Sequence, residues 1–288
     1  MNAQTARNLI KSSRDSFSWE SFKRKYVEIK LRSFRPKISF SFDFKDYTIK
    51  TVDHTEELWE VLRLRYNIFT QTYGVKLKFS DVDFDKLDLS GDHIVLYCNK
   101  AQKIIGTYRV ICSQFTNEFY SDAEFEINKF KLAPGVKVEL GRACIHEDYR
   151  TGASISLVWR GISKYCLLTE ASYLFGCTSV KTVDPDIARE VLVYCQREYQ
   201  GNRYGIHPTK NYQYPNFENL GLVGRPIDVE SYIPSLMKSY LSAGAVIYGQ
   251  PALDKDFQCT DYFTVLDLEN INSTYYKRYF KPWRNSVE

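Results

Sequence analysis

The sequence predicts an α/β fold in which a mixed central sheet is flanked by helices. Short strand-like segments come first and pair across brief polar turns, whereas helical segments are interspersed among the later strands. The chain has 288 residues, of which 44% are hydrophobic and 26% are charged, as expected for a globular protein with one substantial core. It contains no repeat, low-complexity tract or Gly/Ser linker.

The predicted strands are identified by their side-chain pattern. Residues 38–52 alternate aromatic and polar side chains with the period of two that a half-buried strand shows. The later candidates are short apolar runs rich in β-branched residues, and the polar turn 99–102 joins two of them as an antiparallel hairpin. In chain order, the predicted strands are 38–52, 93–98, 103–112, 136–145, 174–180, 246–251 and 262–268.

The predicted helices are identified by apolar residues at helical spacing and by signals at their ends. The first begins near Asp53 or Thr55 and ends at Gly74, and an acidic loop at 80–88 follows it. The second has Ser154 near its N-cap. The remaining helices include one with Pro185 in its first turn. After the first, the predicted helices are 154–173, 185–199 and 233–245.

The N-terminal segment is unusually basic. Residues 1–37 hold ten lysines and arginines against three acidic residues, although the net charge of the whole chain is only +4. Four apolar side chains recur there at helical spacing, with lysines between them, which predicts a basic amphipathic helix. Such a helix binds an anionic membrane or an acidic protein, or its apolar stripe packs on the protein itself. The stripe consists of Trp19, Phe22, Tyr26 and Ile29. We expect an arm over 1–37 and a single domain over 38–288.

Cysteine and histidine usage argues against a metal site. The seven cysteines are an odd number without a C-x-x-C pair, and the four histidines show no metal-ligand spacing. We therefore expect buried thiols of a reducing compartment and no metal. The chain has no run of about 18 apolar residues, and its first 30 residues lack the apolar block of a secretory signal, so we expect a cytoplasmic location.

The predicted strand 136–145 contains two charges, Glu139 and Arg142. Residues an odd number apart on a regular strand point to opposite faces, and an unpaired buried charge is costly. Gly141 lies between them, and a glycine within a strand is typical of a bulge. With one residue bulged, we expect both side chains to project into one cleft and to satisfy each other.

The strand 136–145 runs into the sequence "HEDYRTGAS", which leads to a predicted helix. The first N–H groups of that helix, together with Arg150, form a potential phosphate site. An ordinary strand-to-helix connection is the alternative, because a single glycine is a weak signal.

Several segments taken together resemble one family. The sequence is similar to the N-acyltransferases of ornithine-lipid synthesis, sometimes labelled hemolysin-like, which have the Gcn5-related N-acyltransferase (GNAT) fold. Those enzymes are relatives of the acyl-homoserine-lactone synthases and the long-chain N-acyl amino acid synthases. The resemblance extends over roughly residues 55–270. Its segments are "LRLRYNIF" (62–69), "DFDKLD" (83–88), "IIGTYRV" (104–110), "VELGRACIHEDYR" (138–150), "LFGCTSV" (174–180) and 233–268.

The resemblance implies transfer of a long-chain fatty acyl group from the phosphopantetheine arm of acyl carrier protein to the amine of an amino acid, with no bound cofactor. In that fold the arm enters where two parallel strands splay, here 136–145 and 174–180. Its phosphate is then expected at Arg150, Thr151, Gly152, Ala153 and Ser154. The loop departs from the Q/R-x-x-G-x-G/A signature of coenzyme A binding, which weakens a coenzyme A interpretation and is compatible with a carrier-protein donor.

Similarity to the lactone synthases also implies roles for single residues. Their acid and arginine pair corresponds to Glu139 and Arg142, the catalytic candidates. Their acceptor-site network corresponds to Arg65, Phe69, Asp85, Asp88 and Arg109, the substrate-binding candidates. Gly141 and Ala143 replace the serine and phenylalanine typical of lactone synthases, which argues against a sulfonium acceptor.

These residues suggest how an amine is acylated. The ammonium form must lose a proton, and Glu139 accepts it if burial raises its pKa, whereas a nearby Arg142 would keep it ionised. Arg109 or Arg142 can hold the acceptor carboxylate, and backbone N–H groups near Gly141 can stabilise the oxyanion. Structural ion pairs are the alternative for all the charged residues. Cys144 as a nucleophile is a further, less favoured alternative, because direct aminolysis needs no acyl-enzyme.

Other functions stay open on the sequence. An acyl-homoserine-lactone synthase and a short-chain acetyltransferase using acetyl-CoA are alternative enzymes with the same fold. A non-catalytic module that binds a membrane surface or a carrier protein is an alternative of another class. Within the leading hypothesis the acceptor is open among ornithine, lysine, glycine and other amines.

Overall fold

The predicted fold class is confirmed by a computed structural model. It describes residues 19, 21–74, 77–79, 81–201, 203–219 and 228–284. Within these ranges nine strands form one mixed sheet in the order β1-β2-β3-β4-β5-β6-β9-β8-β7, flanked by helices. The strands are β1 (Ser41–Phe44), β2 (Tyr47–Thr51), β3 (Asp92–Cys98), β4 (Lys103–Cys112), β5 (Val136–Ile145), β6 (Ala171–Val180), β7 (Gln200–Gly201), β8 (Val246–Asp254) and β9 (Cys259–Asp267).

The helices connect and cover these strands. Helix α1 covers 21–31. The others are α2 (Thr55–Tyr73), α3 (Leu87–Ser90), α4 (Ser121–Glu124), α5 (Asn128–Leu132), α6 (Gly152–Leu168), α7 (Pro185–Tyr199), α8 (Val229–Tyr232), α9 (Ser235–Ala243), α10 (Ser273–Tyr275) and α11 (Lys281–Arg284). A π-helical turn, Tyr276–Phe280, joins the last two. Shorter 3-10 turns lie at Glu147–Tyr149, Lys210–Tyr212 and Phe217–Asn219.

Two predicted elements are wrong in extent. The strand predicted at 38–52 is a hairpin of β1 and β2, because the aromatic alternation continues through a tight turn in which Lys45 has a φ of 56°. The helix predicted at 154–173 begins at Gly152 and ends at Leu168, and residues 171–173 belong to β6. The apolar run gives no sign of that boundary, whereas Thr169 ends the helix by donating its hydroxyl to the Tyr165 carbonyl.

The predicted bulge is present in β5. Between the pairs Thr107↔Cys144 and Arg109↔Gly141, one residue of β4 faces two residues of β5, Arg142 and Ala143. Arg142 has a φ of 52°, so the bulge lies directly after the glycine that predicted it. The left-handed backbone of a non-glycine residue at this point is a local strain, which is typical of functional sites.

The parallel pair β5–β6 separates partway along its length. The two strands pair from Val136↔Ala171 to Glu139↔Phe175, and no pairing follows in the described residues. At the fork, a side chain at Gly176 would collide with the Leu140 carbonyl oxygen, so only glycine fits there. This is the splay expected of the strands 136–145 and 174–180, and it opens a cleft in the middle of the sheet.

Helix α1 has two apolar faces. Val27 and Leu31 are fully buried in the cluster that includes Leu58 and Leu62 of α2. The predicted stripe lies on the other face, where Trp19, Phe22, Tyr26 and Ile29 are 59%, 62%, 43% and 54% exposed. The stripe is therefore largely exposed, although the Tyr26 ring stacks on Phe79 of the same cluster with 6.3 Å between the ring centroids. No helix among the described residues is long and apolar enough to cross a membrane.

Candidate active site

A cavity of about 220 Å³ occupies the cleft between the separated ends of β5 and β6. Its walls come from three directions: residues 139–143 of β5, residues 174–179 of β6, and side chains of α9, β8 and β9. The cavity has a cationic wall, an acidic wall and an apolar branch.

The cationic wall contains Arg109 of β4, which is 1% exposed. Its Nη1 donates to Asp85 Oδ1 at 2.8 Å and to Asp88 Oδ1 at 3.0 Å. Its Nε and Nη2 have no hydrogen-bond partner in the described structure. Buried donors of a charged group are costly to leave unpaired, so this guanidinium has two positions for an anionic ligand.

Arg142 lies beside Arg109 and is held by aromatic rings and carboxylates. Its guanidinium carbon is 4.8 Å from the ring centroid of Tyr120, 5.4 Å from that of Phe257 and 5.9 Å from that of Phe69. Its Nε is 3.3 Å from Asp83 Oδ2, and its Nη2 donates to Asp85 Oδ2, also at 3.3 Å. Phe69, a predicted substrate-binding residue, lines the cavity as part of this enclosure.

A buried ion-pair network supports both arginines from behind. Arg65 of α2 is fully buried and donates to Asp83 Oδ2 at 2.8 Å and to Asp88 Oδ1 at 2.6 Å. Burial alone would raise the pKa of Asp88, but Arg65 and Arg109 outweigh it and hold that pKa below its ordinary value. Burial lowers the pKa of His93, which contacts the Asp88 carbonyl, to about 4. The ring is therefore neutral and adds no further cation.

Three of the predicted substrate-binding residues do not line the cavity. Arg65 and Asp88 are fully buried behind it, and Asp85 is on its outer side, where it binds Arg109 and Arg142. Their side chains pair within the network, which indicates a supporting role, and their direct contact with a substrate stays a prediction. Asp83, which lies in the acidic loop but was not singled out, is an equal member of this network.

Glu139 lines the cavity but does not pair with Arg142, so the expectation that they satisfy each other is wrong. Its Oε2 accepts from the Tyr120 backbone N–H at 2.7 Å, and its Oε1 accepts from the Ser121 N–H at 2.7 Å and the Ser121 hydroxyl at 2.6 Å. The first turn of α4 supplies these donors, and the bulge directs Arg142 towards Asp83 instead. Burial raises the pKa of Glu139, and the Ser121 hydrogen bonds partly offset the increase.

The acidic wall was not predicted. Asp254 of β8 and Asp261 of β9 line the cavity and are each 3% exposed, and Glu124 of α4 interacts with Asp261 from behind. Burial and the neighbouring Asp254 raise the pKa of Asp261 to about 6, although the Ser179 hydroxyl, which donates at 2.5 Å, opposes the shift. Burial, followed by Asp261, raises the pKa of Glu124 well above its ordinary value.

The apolar branch runs under helix α9. It is closed on one side by Tyr108 and Tyr240, whose hydroxyl oxygens are 2.6 Å apart. Trp159 packs on Tyr240, Tyr275 and Tyr279 outside the branch, so this residue belongs to the core. The apolar side chains of the branch are Leu140, Leu174, Leu236, Met237, Ala245 and Leu266.

The predicted phosphate loop lies at the start of α6. Thr151 is the N-cap and Gly152 the first helical residue, two positions before the predicted start. Arg150 donates from Nε to the Ile145 carbonyl at 2.9 Å, and Ser154 donates its hydroxyl to the Tyr149 carbonyl. Residues 150–153 are exposed and Ser154 is buried, and none of them lines the cavity.

The cysteines near the site are not activated. Burial raises the pKa of Cys144 to about 12, and this residue does not line the cavity, which argues against the nucleophile alternative. Ligand atoms of Asp254, Cys259 and Asp261 lie within 4.8 Å of one another, as metal ligands would. Burial raises the pKa of Cys259, however, and a thiol must be deprotonated to bind a metal.

The sequence has relatives of known activity. Residues 64–160 match the acetyltransferase (GNAT) domain family. The L-ornithine N(alpha)-acyltransferase of Brucella abortus is 27% identical over 232 residues, which cover 75% of this chain and 82% of the relative. The protein of the same name from Rhodobacter capsulatus is 26% identical over 249 residues, which cover 81% of this chain and 94% of the relative.

Among solved structures, FeeM, an N-acyl amino acid synthase from uncultured soil microbes, aligns with a TM-score of 0.45 at 11% identity. The alignment covers 83% of this chain and 97% of that one.

Proposed function

Since this chain is an acyltransferase with a GNAT domain, we propose that it transfers a long-chain fatty acyl group from an acyl carrier protein thioester to the amine of an amino acid. The observation that carries the proposal is the cavity itself, which combines an apolar branch with a guanidinium that has two unpaired nitrogens. The names of the curated relatives support an amino-acid acceptor of the ornithine type.

The acceptor is held at the cationic wall. The free Nε and Nη2 of Arg109 present the fork that a carboxylate accepts in a bidentate pair, and Arg142 adds positive charge beside it. An amino acid bound in this way by its carboxylate places its α-amine towards the cleft between β5 and β6, where the thioester arrives.

The donor enters through the cleft. The phosphopantetheine arm lies between the separated ends of β5 and β6, and the acyl chain extends into the apolar branch under α9. Backbone N–H groups at the bulge of residues 141–143 then stabilise the oxyanion, a contribution of about 3 kcal/mol for one well-placed donor. The loop 150–154, of which residues 150–153 are exposed, holds the phosphate at the start of α6, as a helix N-terminus does for anions.

Glu139 is the proposed base. It lines the cavity together with Arg109 and Arg142, and burial raises its pKa towards the range that a general base needs. Its three hydrogen-bond donors hold it in place and oppose the increase. The proton from the acceptor ammonium passes to this carboxylate directly or through water before the amine attacks the thioester carbonyl.

The experiment that tests the reaction offers three donors, namely long-chain acyl carrier protein, the matching acyl-CoA and acetyl-CoA, with a panel of amino acids, and identifies products by mass spectrometry. We expect N-acyl amino acid at the highest rate from acyl carrier protein. Transfer from acetyl-CoA alone would contradict the long-chain donor. Release of methylthioadenosine from S-adenosylmethionine would indicate a lactone synthase. Carrier-protein binding without any transfer would indicate a binding module.

The role of Glu139 is tested with Ser121→Ala as well as Glu139→Gln. Removing the Ser121 hydroxyl leaves the carboxylate in place but deletes a hydrogen bond that lowers its pKa. If Glu139 is the base, the acidic limb of the kcat profile shifts to higher pH in Ser121→Ala, and Glu139→Gln loses most activity. An unshifted limb in Ser121→Ala would show that Glu139 only positions α4.

The exposed stripe of α1 is proposed to contact an anionic membrane surface. Trp19, Phe22 and Ile29 are more than half exposed. The helix also carries Lys23, Lys25 and Lys30, as interfacial helices do. We expect Trp19→Ala/Phe22→Ala to weaken cosedimentation with phosphatidylglycerol vesicles several-fold, and salt to weaken wild-type binding. Leu132→Ala, at an 86% exposed site elsewhere, is the control. Equal binding by all three proteins would contradict the proposal.

A further inference from the structure

We infer that Asp261, with Asp254 and Glu124 around it, is a subsite for a second cationic group on the acceptor, such as a side-chain ammonium. The inference rests on the proposed function, because it concerns the acceptor of the same reaction. The selected feature of the acceptor is its second positive charge, and these three carboxyl groups select it.

The first observation is that these three carboxyl groups are buried without a cation. Asp254 and Asp261 are each 3% exposed, and Glu124 is fully buried. Among the described residues, none of the three forms an ion pair with lysine, arginine or histidine. Neither oxygen of Glu124 accepts a hydrogen bond of ordinary length and angle. Buried carboxylates are normally paired, and these three have no cation among the described residues, so either a bound proton or a ligand cation balances them.

The second observation is independent and comes from the opposite wall. Arg109 lines the same cavity, and two of its buried nitrogens have no hydrogen-bond partner, which favours an anionic group on the ligand. The ring of Tyr120 lies under Arg142 and Arg109, and its hydroxyl interacts electrostatically with Glu124 and Asp261. Tyr120 therefore contacts the cationic wall and lies close enough to the acidic wall to interact with it. A ligand that satisfies both has a carboxylate at one end and a cation at the other.

A metal ion fits the acidic wall less well than an organic cation. Asp254 Oδ1 already accepts from the backbone N–H groups of Asp256 and Phe257 at 2.8 and 2.9 Å, and Asp261 Oδ1 accepts from Ser179. The third potential ligand, Cys259, is a thiol that donates to Asp261 Oδ2 at 3.7 Å. The remaining lone pairs of these two carboxylates, which line the cavity, can accept hydrogen bonds from an ammonium group.

The subsite would discriminate strongly between acceptors that have a side-chain ammonium and acceptors that lack one. An acceptor with a side-chain ammonium neutralises the acidic wall, whereas an apolar acceptor of the same length leaves a buried charge without a partner. Sites built to bind a polar group reject analogues that lack it by large factors. We therefore expect at least about a 100-fold preference for a diamino acid over its apolar analogue in kcat/KM.

The experiment compares L-ornithine with L-norvaline, which lacks only the side-chain amine, in wild type, Asp261→Asn and Asp254→Asn. We expect the wild-type preference to fall to within about tenfold in Asp261→Asn, because kcat/KM for ornithine falls far more than kcat/KM for norvaline. Asp256→Asn is the matched control, because Asp256 is exposed in the turn between β8 and β9. Thermal unfolding of each variant identifies a failure to fold, in which case Asp254→Asn decides.

Three kinetic or binding results would overturn the inference. Equal use of ornithine and norvaline by wild type would show that no second cation is recognised. A parallel loss for both acceptors in Asp261→Asn would indicate a general base. Zinc binding by wild type that competes with ornithine and is lost in Asp261→Asn would indicate a metal site.

Calorimetric titration of the free protein with ornithine and norvaline keeps the inference separate from the reaction. If wild type transfers no acyl group but binds ornithine in preference to norvaline, and Asp261→Asn does not, the proposed function fails and the subsite stands. If transfer occurs without that preference in binding or in rate, the subsite fails and the proposed function stands.

Discussion

The two charged walls of the cavity are both largely buried, and their balances of charge are opposite. On the cationic side, three arginines face three aspartates, and every aspartate has at least one arginine within 3.3 Å. On the acidic side, three carboxyl groups face one another without a cation in the described structure. Burial acts on both sides, yet the pKa of Asp88 is lowered and the pKa of Asp261 is raised to about 6.

This difference distinguishes buried charges that hold the site in place from buried charges that can bind a ligand. A buried charge that already has its partners, such as Arg65, has no capacity left for a ligand and holds its neighbours in place. A buried charge without partners lowers the stability of the free protein, and a ligand of the opposite charge recovers that free energy. Arg109 belongs to both groups, because one of its nitrogens is bound by aspartates and two are free.

The largest expected effect is at the centre of the compensated network. Arg65→Met removes the nearest cation of Asp83 and of Asp88 and leaves each buried carboxylate with one more distant arginine, Arg142 or Arg109. We expect the free energy of unfolding to fall by about 3–5 kcal/mol in urea or guanidinium titrations. Arg63→Met, an exposed position on the same helix, should change it by less than about 0.5 kcal/mol. Equal effects of the two substitutions would mean that the network is not structural.

On the acidic wall, which has no compensating cation in the described structure, we expect a substitution to increase the free energy of unfolding. The pKa of Asp261 in the folded protein, about 6, lies above the ordinary value of 3.8, so its contribution to stability is fully present below pH 3.8 and is lost as the pH rises to about 6. Asp261→Asn removes that loss and should stabilise the free protein at pH 8 by up to about 3 kcal/mol.

The measurement for Asp261→Asn is the free energy of unfolding at several pH values. The advantage over wild type should be near zero at pH 4 and should grow until about pH 7, whereas Asp256→Asn should track wild type throughout. An advantage that does not vary with pH, or a destabilised variant at pH 8, would contradict an uncompensated Asp261. If Asp261→Asn both stabilises the protein and removes the preference for ornithine, the same residue lowers stability and recognises the acceptor.

A smaller effect is expected at Arg109, which has one nitrogen paired with aspartates and two nitrogens without a partner. Arg109→Lys keeps a positive charge for Asp85 and Asp88 but removes the planar fork that faces the cavity. We expect kcat/KM for the acceptor to fall about tenfold, mainly through KM, which is about 1.4 kcal/mol. The free energy of unfolding should change by less than about 1 kcal/mol. Steady-state kinetics of Arg63→Lys provide the control, and an unchanged acceptor KM in Arg109→Lys would exclude Arg109 as the carboxylate ligand.

The sequence by itself determined the features that depend on neighbouring residues along the chain. Alternating and helical patterns predicted most elements of the sheet and its helices, and Gly141 predicted a bulge that lies at the next two residues. The splay of 136–145 and 174–180 followed from the family resemblance and is confirmed. Local patterns also have a fixed limit, since they missed the reversal at Lys45 and the end of α6 at Leu168, where the apolar pattern continues through a turn.

Only the tertiary structure decided which charge meets which. Glu139 is bound by Ser121, 18 residues away, rather than by Arg142 three residues away, and Asp261 accepts from Ser179, 82 residues away. The physical reason is that a buried polar group binds the nearest correctly oriented partner in space, and sheet order brings distant segments together. The acidic wall assembles from α4, β8 and β9, so no single stretch of sequence contains its pattern. The same sheet order gives the cavity its two opposite walls.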